Sequence, residues 1–182
     1  MALTRVKKVP TANLVQGSSF LTSVATSNMP AGSILQVVSN TFTSMDSINN
    51  TTADYGISCA ITPKVSNSLL MITADLFYSV NYNTGFAFIT DSSNNTIQQP
   101  PASGSRSRAH YGTHWADQRD YQTYRENHTV FTTHSGTSSQ TFKVRVTCAS
   151  DTTWYTNRNV YNGDRAQDPS GITTMFIQEI AV

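Results

Sequence analysis

From residue 69 to residue 80 every second side chain is apolar: Leu70, Ile72, Ala74, Leu76, Tyr78 and Val80 share one parity. A period of two puts all six on one face of an extended chain, and no helix accommodates it. The same rhythm returns in Phe142, Val144, Val146 and Cys148, and in Ile57, Cys59 and Ile61. Shorter runs at residues 33–38, 86–89, 129–132, 153–156 and 172–180 read as further strands. Between them stand turn formers such as Met29-Pro30-Ala31-Gly32, Pro63-Lys64-Val65-Ser66-Asn67-Ser68 and Asp91-Ser92-Ser93-Asn94-Asn95. Strands at such intervals, with no helical pattern, predict an all-β chain: a jelly-roll-like β-sandwich of about eight strands. Thr, Ser and Asn make up about a third of the sequence, which suits pleated surfaces and turns.

Residues 1–31 show neither period. They carry Arg5, Lys7 and Lys8 and short apolar groups at Leu14-Val15 and Phe20-Leu21. The expected organisation is an irregular N-terminal arm over 1–31, followed by a sandwich head over 32–182. A net charge of +1 gives no basic footprint for nucleic acid. No apolar run approaches the ~20 residues of a membrane span, and MALTRVKKVP lacks the apolar core of a secretory signal. Cys59 and Cys148 both fall on apolar strand parity and are expected as free, buried thiols in a protein made in a reducing cytoplasm. The closing run Met175-Phe176-Ile177 is apolar on both parities, so both its faces need cover, one of them from a neighbouring subunit.

One stretch departs from its surroundings. RSRAHYGTHWADQRDYQTYRENH, residues 106–128, holds seven of the 23 charged residues, three of the four histidines and four aromatic rings. His110 and His114 have a helical metal-site spacing, but Gly112 and Thr113 argue against a helix and no second ligand pair follows, so no metal or other cofactor is expected. Nucleophile motifs and recognisable carboxylate pairs are missing as well, which gives no ground for an enzyme. The residue types suit a binding surface. Tyr111, Trp115, Tyr121 and Tyr124 offer flat faces, while Arg106, Arg108, Asp117, Arg119 and Arg125 offer directional hydrogen bonds. A host glycan and a sister subunit would both use that combination. For Tyr121 and Tyr124, a place in a half-buried ladder is the competing reading.

Several phrases, taken in order, carry a resemblance: Pro30-Ala31-Gly32-Ser33-Ile34-Leu35-Gln36-Val37-Val38, then Ile61-Thr62-Pro63-Lys64-x-Ser66-Asn67-Ser68-Leu69-Leu70. Phe142-Lys143-Val144-Arg145-Val146 and Trp154-Tyr155-Thr156-Asn157-Arg158 follow, and Ile172-Thr173-Thr174-Met175-Phe176-Ile177-Gln178-Glu179-Ile180 closes the chain. This succession resembles the trimeric, jelly-roll-like head of tailed-bacteriophage tail fibres and related virion decorations. The resemblance spans residues 30–182, with a variable part at 90–130. It implies a virion structural protein made in the bacterial cytoplasm. It also implies a homotrimer whose arm (Arg5, Lys7, Lys8, Leu14, Phe20, Leu21) attaches to other virion proteins and whose head binds host-surface polysaccharide. Many relatives are distal parts of long fibres, whereas this chain, opening on Met1, is barely longer than the head. A capsid decoration protein therefore stands beside the short fibre, with a polysaccharide-acting enzyme as a third reading.

Overall fold

The computed structural model describes residues 29–81, 84–113, 122–161, 163 and 165–182. Among them are ten strands and no helix: β1 (Ile34–Phe42), β2 (Asp46–Asn49), β3 (Thr52–Ile61), β4 (Leu69–Asn81), β5 (Gly85–Asp91), β6 (Tyr111–Thr113), β7 (Tyr124–Thr133), β8 (Gln140–Cys148), β9 (Thr153–Thr156) and β10 (Thr173–Ile180). Eight of them pair as a nested, antiparallel series: β1 with β10, β3 with β8, β4 with β7, and β5 with β6. Rolled up, that long hairpin becomes two sheets, β1-β10-β4-β7 and β3-β8-β5-β6. This is the jelly-roll order. The two short strands left over, β2 and β9, pair with each other, and β9 also borders the last residues of β4.

The alternating residues fill the space between the sheets. Leu70, Ile72, Ala74, Leu76, Tyr78 and Val80 from β4 meet Tyr55, Ile57, Cys59, Ile61, Val144 and Val146 from the other sheet. Trp154 of β9 stacks on Tyr78 at 4.0 Å and closes one end of the core. Both cysteines are free and buried. One register irregularity shapes this interior. Between Asp54, opposite Arg145, and Ser58, opposite Lys143, β3 bulges so that three residues face Val144 alone. Gly56 turns outward there with φ +112°, and a Cβ on it would stand 2.4 Å from Cζ of Phe42.

A carboxylate lies on the core parity of β10. Glu179 is fully buried, and its oxygens accept the backbone N–H groups of Lys64 (2.8 Å) and Val65 (3.0 Å) and the Gln36 side-chain amide (2.6 Å). It pins the Pro63–Ser68 turn to the last strand. Burial alone would raise its pKa. The backbone N–H groups and the Gln36 amide outweigh burial and hold the carboxyl below its ordinary range.

The strands give the head two distinct ends. Ile34, Ile180, Leu69 and Thr133 lie side by side at one of them. The described chain joins the fold at that end: Gly32 N–H donates to Ala181 at 2.8 Å, and Ser33 N–H to Pro30 at 3.0 Å. At the opposite end Gly85 lies beside Thr113 and Cys148, Phe42 beside Thr173, and Tyr78 beside Tyr124 and Thr156.

Candidate functional site

The described residues of the 106–128 stretch do not all lie on one surface. Arg106 is exposed, and its Nη1 donates to Ser103 Oγ at 3.3 Å. Arg108 is half-buried and staples its own loop, with Nε donating to Pro100 O at 2.7 Å and Nη2 to Gln99 Oε1 at 2.5 Å. Both belong to the long β5–β6 connection, which is tied back to β5 where Ile97 N–H donates to Ile89 O at 3.0 Å. Their guanidinium groups point to loop anchoring as much as to binding.

Tyr111 requires a correction. Expected on an exposed binding surface, it is 3% exposed, and its hydroxyl donates to Ala74 O across the sandwich at 2.6 Å. Its neighbours Ala87 and Val146 share the inward parity of β5 and β8, so the ring goes into the core. Burial drives the phenol pKa far above its ordinary value, and the group stays neutral.

Tyr124 and Arg125 stand at the start of β7, which begins inside the unusual stretch. Tyr124 is half-buried and stacks on Tyr78 at 5.4 Å, as a ladder residue does. Arg125 points to the outer face and makes a two-nitrogen bond to Asp75, with Nη2 at 2.6 Å and Nε at 3.1 Å from Oδ2. Trp115, Asp117, Arg119 and Tyr121 lie outside the described residues, as do the arm positions Arg5, Lys7, Lys8, Leu14, Phe20 and Leu21. The residues that flank 114–121 in the sequence, Thr113 at the end of β6 and Tyr124 at the start of β7, lie at the end of the head opposite Gly32. The β8–β9 turn and the 157–172 connection stand at that same end, where Asn50 N–H donates to Thr152 O and Asn157 N–H to Phe77 O.

Two groups of this stretch do meet. His110, just before β6, stacks on His128 of β7 with centroids 4.9 Å apart, and Tyr111 meets His128 edge-on at 5.5 Å. The three rings bridge the two sheets along the border where β6 faces β7. Sequence spacing did not bring His110 and His128 together, because their proximity follows from nested strand pairing. Among the described residues no three His, Cys, Asp or Glu side chains form a metal-binding group. No helix there is long and apolar enough to cross a membrane. Glu179 was also missed, although its parity with Met175 and Ile177 was the signal: a charge on a core-facing position needs partners. Compared with models of known protein families the chain matches none, and no curated protein matches its sequence.

Proposed function

We propose that the chain is a tailed-phage virion protein: a short trimeric tail fibre whose residues 1–31 anchor it and whose head meets the host surface. The observation that carries the reading is the polarity of the head. The arm joins at Gly32, at one end, while segment 114–121, with its tryptophan and arginine, is attached at the other. An anchored fibre needs that division, because the end remote from the anchor is the end that reaches a cell. The ordered strand phrases resembling phage fibre heads add to it. In this reading the contact residues are Trp115, Asp117, Arg119 and Tyr121, with Arg125 at the border, and the recognised material is surface polysaccharide. Tyr111 and Tyr124 serve packing.

Phage carrying Trp115→Ala or Arg119→Ala in this chain test the reading. Both are expected to leave the melting temperature of the purified protein unchanged and to reduce adsorption to host cells by about tenfold or more, since aromatic and arginine anchors dominate such contacts. Unchanged adsorption in both variants overturns host recognition by this segment. Cross-linking residues 5–8 in intact virions separates the two attachments: tail-machine partners support the fibre, and the major capsid protein as partner replaces it with a decoration protein.

A further inference from the structure

The border between β6 and β7 holds two histidines whose arrangement works only while they are uncharged. β6 is three residues long and, among the described residues, lies at the edge of its sheet, paired with β5 alone. Its backbone ladder reaches Ala87, whose carbonyl accepts His110 N–H at 3.1 Å. The next N–H toward this edge, that of Ile89, donates to a side chain: His110 Nδ1 accepts it at 2.9 Å. A ring nitrogen that accepts cannot carry a proton. A face of the same ring lies on His128 at 4.9 Å, so a charge on either imidazole would stand against the other.

We infer that His110 and His128 form an acid-released latch that holds β6, and with it Tyr111, onto the sandwich. Protonating His110 turns Nδ1 from acceptor to donor, and the Ile89 N–H loses its partner. Protonating His128 as well places two cations in one half-buried stack. The backbone carbonyls of Gln98 and Ile97 favour a charged His110 ring, but burial and His128 outweigh them. On β7 the nearest carboxylate is Glu126, two residues from His128, and on β6 the facing group is the buried, neutral Tyr111. From β4 the facing residue is Ala74, and the neighbouring Asp75 is engaged by Arg125 on the outer face. From β5 come Ala87 and Ile89, which do not titrate, and the Arg108 guanidinium of the connecting loop is turned to Pro100 and Gln99. Burial, and then His128, hold the His110 pKa below its ordinary value, while burial does the same for His128. The latch therefore stays closed at neutral pH and opens as pH falls below the ordinary histidine range of about 6.5. Opening frees β6 and bares Tyr111, while the ladders β1·β10, β4·β7 and β3·β8 keep the rest of the head intact. The inference rests on the seam alone and does not depend on the virion reading.

Amide hydrogen exchange of the full chain between pH 7.5 and 5, corrected for intrinsic rates, tests it. Protection at Ile89 is expected to fall by about tenfold per pH unit once the histidines begin to charge, with Val144 and Ile177 unchanged. His110→Asn keeps an acceptor and cannot be charged in this range, so its Ile89 protection should no longer depend on pH. Should that variant fail to fold, nitrogen NMR of the rings in the unaltered chain replaces it, and the loss of Ile89 protection must follow His110 protonation. Protection that is flat across this range, an acid response retained in His110→Asn, or ring titration without any change at Ile89 each overturns the latch.

Discussion

Glu179 shows how one residue is made compatible with a place where its type is ordinarily excluded. A carboxylate buried in a sandwich is costly unless hydrogen bonds replace its water. Here the replacements are mostly backbone donors from the turn that follows Pro63, so the charge and the turn require each other. Glu179→Gln presents an amide N–H to N–H donors. It is expected to lower stability at neutral pH by about 1–3 kcal/mol, the usual cost of an unsatisfied buried group. Because the folded carboxyl titrates below its unfolded value near 4.5, the stabilisation is complete above that value. It is lost as pH falls through the lower, folded value. Thermal melts of both proteins from pH 7 to pH 3 should therefore show a gap that is constant above about pH 5 and shrinks below pH 4.5. A gap independent of pH would mean that the carboxylate is not what the turn depends on.

Elements were legible where one residue in two is apolar and illegible where local composition gives no rhythm. β4, β8 and β9 run close to the ranges their alternation predicts, and the closing strand begins one residue late, at Thr173. β2, Asp-Ser-Ile-Asn, offers a single apolar side chain, and β6, Tyr-Gly-Thr, is too short for any period to appear. β6 is a strand because the longer β5 supplies its ladder, and β2 because β9, itself paired with the end of β4, supplies one. β7 was expected from residue 129 and starts at Tyr124, since its first half carries Arg125, Glu126 and His128 in place of the aliphatic residues that mark a strand. That is why a stretch read as one surface divides into a loop, a core tyrosine, segment 114–121 and half a strand. The β3 bulge was invisible for a different reason: besides its positive φ, what a side chain at Gly56 would first meet is the Phe42 ring, from β1, distant in sequence. Gly56→Ala and Gly32→Ala separate the two effects. Both glycines have positive φ (+112° and +85°), but among the described residues nothing lies within 4 Å of a Cβ at 32. Gly32→Ala should cost about 1 kcal/mol of backbone strain, and Gly56→Ala that plus displacement of the Phe42 ring, together about 2–4 kcal/mol. At this chain length each kcal/mol lowers the melting temperature by roughly 2–4 °C, so calorimetry resolves the difference. Equal losses would remove the Phe42 contact from the account.

At the scale of the whole molecule, the outward face of the β1-β10-β4-β7 sheet is the feature that a single chain leaves unfinished. Val37, Gln178, Met71 and Phe131 form one row straight across the four strands. Ile34, Ile180 and Leu69 form a second row beside it, and Phe176 lies on the other flank. Ile34, Val37 and Phe131 are 52%, 55% and 42% exposed. Isolated exposed apolar residues are ordinary on a protein surface, but two adjoining rows on one sheet face form a contiguous patch of the kind that marks an interface. The opposite sheet provides the contrast, since its outward face carries Asp54 in ion pairs with both Lys143 and Arg145. In the proposed trimer the apolar rows are the part each head covers on its neighbour, and the charged sheet is the part left in water. Val37→Glu with Phe131→Glu places two like charges in that seam without touching the interior. Light scattering at micromolar concentration is then expected to give a trimer for the unaltered protein and a monomer for the double variant. The same strand signal in circular dichroism should be seen for both. If the unaltered chain is a stable monomer, the trimer is wrong; if the double variant remains a trimer, the seam lies on another face.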